Sequence, residues 1–149
     1  MQRSIQFTQE HEIFRESVRK FFEAEVNPHY EEWEKAGIVP REIWKKCGDM
    51  GFLLPWLDEK YGGPGADFLY SVIVTEELAY SGANSLMLPL HSDVVAPYIY
   101  AFGTEEQKMK FLPKCASGDT ILAVAMTEPE AGSDLASMKT TAVKKGKEW

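Results

Sequence analysis

The stretch "DFLYSVIVTEELAYSG", residues 67 to 82, decides between a helical fold and a sheet-based fold. Its β-branched run at positions 72–75 would suit a strand. However, Asp67 is a preferred N-cap residue, and the run continues into Glu76-Glu77-Leu78-Ala79, which favours helix. The stretch therefore predicts a long apolar helix at the centre of a mainly α fold.

Helical patterns extend outward in both directions from this central helix. Thr8 is an N-cap candidate, and the helix after it is predicted to have one apolar stripe formed by Ile13, Phe14, Val18, Phe21, Phe22 and Val26. Gly37 is a predicted helix end. On the other side, Pro97 lies in or near the first turns of an apolar helix. Thr104 and Gln107 have capping-box spacing before a helix whose expected core contacts are Met109, Phe111 and Leu112.

The pattern changes at Asp119. "TILAVAMTE" (120–128) and "TTAVKKGKEW" (140–149) are continuously apolar or alternate with period two, which is typical of strands. We therefore predict a helical domain over residues 1–118, followed over 119–149 by the first strands of a β domain. The β part is incomplete, because two or three strands cannot close a sheet or bury its face.

Composition excludes several classes of function. Hydrophobic residues make up 44% and charged residues 26% of the 149 residues, as in globular proteins. The net charge of -7 disfavours binding to nucleic acid or anionic lipid. Cys47 and Cys115 lack CxxC spacing and no two histidines share ligand spacing, so we predict no disulfide and no metal site. No signal segment and no run of about 18 apolar residues is visible, so we expect a soluble intracellular chain without a membrane span.

The segment "AMTEPEAGSD" (125–134) is the strongest candidate for a binding site. Pro129 fixes the direction in which the chain leaves the predicted strand, and Gly132 can take a positive φ that lets N–H groups converge. Thr127 and Ser133 add hydroxyl donors. Such a loop suits a planar heteroaromatic ring with carbonyl acceptors, or a phosphate; the alternative is an ordinary structural turn after a strand.

The order of motifs resembles the N-terminal part of the acyl-CoA dehydrogenase family. The motifs are "YGGPGAD", "TEELAYSG", "GTEEQKMKFLP" and, most specifically, "AMTEPEAGSD". The segments "YEEWEKAG", "AYSG" and "LHSD" look most like the long-chain branch of that family. The resemblance covers essentially the whole chain.

The resemblance implies FAD as cofactor. The residues implied to bind it are Val124, Ala125, Met126, Thr127, Glu128, Pro129, Glu130, Ala131, Gly132 and Ser133. Main-chain N–H groups around Met126 and Thr127 would hold the pyrimidine edge of the flavin, and Ser133 would also contact the acyl-CoA substrate. Glu130 departs from the glycine common in the family, so we expect its carboxylate to face solvent, away from the pyrophosphate. Leu86 to Leu90 match the segment that lines the acyl tail, although ordinary core packing explains them equally well.

The implied reaction is oxidation of acyl-CoA to trans-2-enoyl-CoA in fatty-acid β-oxidation, with electrons passing to an electron-transferring flavoprotein. Family members are much longer and oligomeric, so a homo-oligomer, either a dimer or a tetramer, is expected for the full-length protein, in the bacterial cytoplasm or the mitochondrial matrix. We assign no catalytic residue in this chain; Glu76 and Glu77 lie on a helix, and Glu128 belongs to the flavin loop. Two alternatives remain: an acyl-CoA oxidase-like flavoenzyme, and a non-catalytic helical interaction module.

Overall fold

A computed structural model describes residues 6–146, and these residues are mainly helical. The α-helices are α1 (Gln9–Phe21), α2 (Tyr30–Ala36), α3 (Arg41–Asp49), α4 (Phe68–Ser81), α5 (Ala96–Phe102) and α6 (Glu105–Ala116). A π-helical segment, Phe22–Val26, follows α1, and a second one, Leu90–Val95, precedes α5. Short 3-10 turns lie at Glu59–Tyr61, Asn84–Leu86 and Leu135–Ser137. The expected mainly α fold is confirmed.

Helix α4 forms where the sequence predicts it. The Asp67 carboxylate accepts a hydrogen bond from the Leu69 N–H at 2.8 Å, and Gly82 ends the helix with φ +77°. Ile73, Val74 and Leu78 are buried, and α1 packs along the helix. The β-branched run is therefore helical, because capping and burial outweigh its modest strand preference.

Helix α1 has the predicted N-cap but a different buried face. Thr8 caps it in a reciprocal capping box with His11. Ile13 is 62% exposed, so its place in the apolar stripe was wrong, and His11 and Arg15 are buried instead. The reason is helical geometry: positions 11, 15, 18 and 22 share one face, and position 13 lies about 200° from position 11.

Helix α6 also has its predicted capping box, formed by Thr104 and Gln107. Leu112 is fully buried and Phe111 is partly buried, but Met109 is 55% exposed. The prediction of a core contact for Met109 was therefore wrong. Pro97 lies near the start of α5, as predicted, and α5 continues directly from the Leu90–Val95 π-segment.

The core lies between these helices and the loop that joins α3 to α4. Its largest fully buried side chains include Phe22, Phe52, Leu53, Leu54, Leu57, Tyr61, Ile73, Leu86, Leu88 and Leu112. Cys47 and Cys115 are free thiols with no exposed surface. Burial raises the pKa of Cys47 to about 12 and that of Cys115 to about 11.

The turn after α6 packs tightly against α3. A Cβ on Gly118, which has φ +77°, would lie 2.2 Å from the Trp44 carbonyl oxygen. A Cβ on Gly48 would lie 2.3 Å from the Ser117 carbonyl carbon. Arg41 donates to the Asp119 carbonyl at 3.0 Å. Backbone contact therefore fixes where the chain leaves the helical part.

The predicted strands are not formed in the described part of the chain. Residues 121–127 have no regular secondary structure, and the bridge between Glu128 and Ala131 belongs to a tight turn. A strand is defined by its pairing, and residues 120–128 have no ladder partner among the described residues. In the second predicted strand, residues 140–144 have no regular secondary structure, Lys145 is a bridge residue, and residues 147–149 lie outside the described residues. The domain boundary at 118/119 stays a prediction.

No helix within residues 6–146 combines the length and apolar character that a membrane span requires.

Candidate functional site

The loop at 125–134 contains a tight, hydrogen-bonded turn. Glu128 N–H donates to the Ala131 carbonyl at 2.9 Å, and Ala131 N–H donates back to the Glu128 carbonyl at 3.2 Å. Pro129 and Glu130 occupy the corner, where the fixed φ of proline favours a turn. Ala131 is buried, whereas the other residues of the turn keep contact with solvent.

The Glu128 carboxylate ties this turn to a later part of the chain. Its two oxygens accept hydrogen bonds from the backbone N–H groups of Lys139, at 2.8 Å, and Thr140, at 3.1 Å. These bonds, first that from Lys139 and then those from Thr140, lower the pKa of the Glu128 carboxyl. Glu128 is therefore a structural anchor of the loop.

The far end of the loop is closed by Asp134 and Ser137. Asp134 caps the Leu135–Ser137 turn by accepting from the Ala136 N–H at 3.2 Å. The Ser137 hydroxyl donates to the Asp134 carbonyl at 2.9 Å and lies 3.3 Å from the Glu130 carbonyl. The middle and the C-terminal end of the predicted binding segment are thus held by hydrogen bonds.

Donor groups remain available on either side of the Glu128–Ala131 turn. Residues 124–127 are exposed, and the N–H groups of Met126 and Thr127 donate no hydrogen bond to any residue in 6–146. The hydroxyls of Thr127 and Ser133 are likewise without a partner in that range, and both residues are exposed. The segment can therefore present two backbone and two hydroxyl donors to one ligand.

Two expectations about this loop have different outcomes. Glu130 faces solvent as expected, with its carboxylate paired to the ammonium of Lys139 and 70% of its side chain exposed. Gly132 does not take the predicted positive φ. Nothing lies within 4 Å of a Cβ built on it, so within this chain neither backbone conformation nor crowding requires a glycine there.

The other carboxylates that the sequence singled out are held by arginines. Arg15 Nη1 donates to Glu76 at 2.7 Å and to Glu77 at 3.2 Å, while Arg19 binds both Glu77 oxygens at 2.8 and 2.9 Å. The hydrogen bonds from Arg19 and then Arg15 lower the pKa of the Glu77 carboxyl, in opposition to burial. These groups join α1 to α4.

The segment 86–90, for which the sequence allowed either core packing or contact with an acyl tail, contains both buried and exposed residues. Leu86 and Leu88 are buried in the core, whereas Met87 is 48% exposed and has φ +53°. Core packing therefore accounts for the two buried leucines. A contact with an acyl tail stays a prediction for the rest of the segment.

Sequence reasoning missed His91, whose imidazole connects three parts of the chain. It lies on the Leu90–Val95 π-segment, and its ring centroid is 5.4 Å from that of Trp44. Its two ring nitrogens hydrogen-bond to the carbonyl of Cys115 and the backbone N–H of Leu122. The only signal in the sequence was its place in "LHSD", directly after Leu90. Within residues 6–146, no three His, Cys, Asp or Glu side chains are grouped so that they could hold a metal ion.

Comparison with known proteins gives a consistent result. The family model of the acyl-CoA dehydrogenase N-terminal domain matches residues 8–119. The mitochondrial long-chain specific acyl-CoA dehydrogenase of Mus musculus is 52% identical over 143 residues, covering 96% of this chain and 33% of that protein. The chain thus spans about a third of the length of the curated relatives that it matches first.

Solved structures agree with these relatives. An acyl-CoA dehydrogenase from Geobacillus kaustophilus is 58% identical with a TM-score of 0.89, covering 94% of this chain and 37% of that one. A glutaryl-CoA dehydrogenase from Mycobacterium smegmatis, solved in complex with FADH2, is 30% identical with a TM-score of 0.86, covering 94% and 36%. Helix order, capping residues and the matched family model lead to one conclusion: this chain belongs to the acyl-CoA dehydrogenase family.

Proposed function

We propose that the protein containing this chain is an FAD-dependent acyl-CoA dehydrogenase that oxidises acyl-CoA to trans-2-enoyl-CoA in fatty-acid β-oxidation, with long-chain substrates preferred. The observation that carries the proposal is the loop 124–133: its Glu128–Ala131 turn is held by hydrogen bonds, whereas the donors of Met126, Thr127 and Ser133 have no partner in 6–146. The long-chain preference is supported by the relative from Mus musculus at 52% identity.

The donor groups of the loop fit the flavin. Its pyrimidine edge carries carbonyl acceptors, and Met126 and Thr127 are exposed residues whose N–H groups have no partner in 6–146. Lys139 neutralises the Glu130 carboxylate, which removes a charge that would repel a pyrophosphate. The solved relative from Mycobacterium smegmatis contains FADH2.

In the proposed enzyme, these residues bind and orient. Met126 and Thr127 donate their N–H groups to the edge of the ring, the Thr127 hydroxyl adds a third donor, and Ser133 donates to the pyrophosphate and the acyl-CoA. Val124, Ala125, Glu128, Pro129, Ala131 and Gly132 give the loop its course. When bound, FAD supplies the hydride acceptor.

The carboxylates of this chain are poor candidates for the base that removes the substrate α-proton. Glu77 and Glu128 have lowered pKa values and accept several hydrogen bonds each, so neither is poised near neutral pH. Glu76 is paired with Arg15. We therefore assign no catalytic base among the residues described.

The remaining parts of the proposal concern the whole protein. We propose an electron-transferring flavoprotein as electron acceptor, a homo-oligomeric enzyme, and a location in the mitochondrial matrix or the bacterial cytoplasm. Relatives come from both mitochondria and bacteria, which supports either location.

An assay of the full-length protein tests the proposal. Saturated acyl-CoAs of graded chain length are supplied with an artificial electron acceptor, and enoyl-CoA formation is measured. We expect the highest kcat/KM at long chain lengths, and the absence of enoyl-CoA at every length contradicts the proposal. Turnover with oxygen at the same rate identifies an oxidase instead, and tight binding of a protein partner without flavin absorbance identifies an interaction module.

A further inference from the structure

The His91 imidazole is 1% exposed and makes two hydrogen bonds to backbone groups that are seven residues apart in sequence. Its Nε2 lies 3.1 Å from the carbonyl oxygen of Cys115, which is in α6. Its Nδ1 lies 3.0 Å from the backbone nitrogen of Leu122, which follows α6. One side chain thus holds the end of a helix and the beginning of the next segment.

These partners determine the tautomer. The Leu122 N–H can only donate, so Nδ1 must be the unprotonated acceptor; the Cys115 carbonyl can only accept, so Nε2 must carry the proton. Burial lowers the pKa of His91, which keeps the ring neutral. The Trp44 ring, at 73° to the imidazole, fixes the ring plane from the side of α3.

Leu122 is the last anchored residue before the exposed segment. Upstream, Thr120 N–H donates to the Lys114 carbonyl at 3.0 Å, and Arg41 holds Asp119. Downstream, residues 123–127 donate no backbone hydrogen bond to any residue in 6–146, until Glu128 starts the turn. The bond from Leu122 to His91 therefore sets the point from which the loop departs.

We propose that His91 is a positioning residue for the segment Val124–Ser133. By accepting the Leu122 N–H, it fixes the course of the chain toward the donors at Met126 and Thr127. Its effect on flavin rests on the function proposed above, whereas the anchoring itself does not.

Three substitutions separate the two hydrogen bonds. In His91→Asn, the amide oxygen can take the place of Nδ1 and accept from Leu122, but the side chain is too short to reach Cys115. In His91→Gln, the amide nitrogen can take the place of Nε2 and reach Cys115, while the acceptor for Leu122 is lost. His91→Leu removes both. A merely structural role would make His91→Asn and His91→Gln similar, because each variant loses one hydrogen bond.

The first measurement is hydrogen exchange of the Leu122 amide in the chain itself, with the far-UV circular dichroism spectrum as a check on folding. We expect His91→Asn to retain protection within about threefold of wild type, and His91→Gln and His91→Leu to lose about fivefold or more, since the free energy of one hydrogen bond corresponds to about that factor. The second is the FAD dissociation constant of the full-length protein, with the same ranking expected.

Equal Leu122 protection in all variants, or protection by His91→Gln but not by His91→Asn, overturns the proposal. The ¹⁵N spectrum of wild-type His91 tests it without any variant, because a protonated Nδ1 is incompatible with the bond from Leu122. If wild type binds no FAD, the proposed function fails. The hydrogen exchange of the Leu122 amide still shows whether His91 anchors Leu122. If wild type binds FAD and every variant binds it equally well, the positioning role fails and the proposed function stands.

Discussion

Glu77 is an acidic side chain that is almost completely buried, with 2% of its surface exposed, between Arg15 and Arg19. Isolated buried charges are strongly disfavoured, so this carboxylate persists only because both its oxygens are paired. Sequence patterns assign charged residues to the surface, and they gave no reason to place Glu77 or Arg15 inside.

We expect Glu77→Gln to lower the free energy of unfolding by about 3 kcal/mol. This is the lower end of the range for a broken buried ion pair, because Arg19 is 53% exposed and can be hydrated again. Glu76→Gln is the matched control: Glu76 is more exposed, so its loss should cost about 1 kcal/mol or less. Urea unfolding of both variants checks the ranking, and equal losses would contradict the role of burial.

Thr127→Val in the full-length protein should weaken flavin retention. The substitution removes a hydroxyl that we propose donates to the ring and leaves an acceptor unpaired, at a cost of about 1 to 3 kcal/mol. Thr127 is exposed, so the free energy of unfolding of the protein without flavin should change little. Flavin content after gel filtration is the measurement, and retention equal to wild type would show that Thr127 is wrongly placed.

At the scale of elements, the helices were predictable because their ends carry local chemical signals. Asp67, Thr8 and Thr104 cap helices as expected, and Gly37 ends α2 in the left-handed region. The strands were not predictable to the same degree, since a strand depends on a partner that local sequence does not specify. The π-segments were also missed, because their register depends on tertiary packing around residues such as His91.

The turn after α6 provides a direct test of close backbone packing. Gly118→Ala should lower the free energy of unfolding by at least about 3 kcal/mol, since it combines left-handed strain with a clash against the Trp44 carbonyl. Gly37→Ala has a similar φ of +69° but nothing within 4 Å, so only the strain of about 1 kcal/mol applies. Similar losses for the two variants in urea unfolding would show that the α3 contact is unimportant.

The Glu128 turn should lose its order at acidic pH. The pKa of Glu128 is lowered in the folded chain, so its contribution is complete above the ordinary glutamate pKa and is lost as the pH falls through the lowered value. We expect the amide proton shifts of Lys139 and Thr140 to stay constant from about pH 7 to 5 and to change on acidification below about 4. Glu128→Gln should abolish that titration; a titration that persists in this variant would assign it to another group.

At the scale of the whole molecule, apolar surface remains exposed in the segment 124–138 and beside α5. Val124, Met126, Leu135 and Met138 are each between 39 and 47% exposed. A groove of about 430 Å³ beside α5 is lined by Tyr98, Ile99, Phe102, Phe111 and Leu122, among others. Exposed apolar patches of this kind favour association.

The chain alone should therefore associate and should hold no FAD. It spans about a third of its relatives, so the ordering cost of the loop is not offset by enough contacts to the flavin. Sedimentation and flavin absorbance measure both properties. Met126→Glu should reduce association, whereas Met50→Glu should not, although the two methionines are 45 and 46% exposed. A stable monomer with stoichiometric FAD would contradict the prediction.

The reaction of the two buried cysteines with a thiol reagent can measure local opening of the fold. With pKa values of about 12 and about 11, only about one thiol in ten thousand at Cys47 and one in a thousand at Cys115 is ionised at pH 8. A thiol reagent can therefore modify them only when the surrounding helices separate transiently. Because Cys47 lies on α3 and Cys115 on α6, the two labelling rates would time the opening of each helix separately.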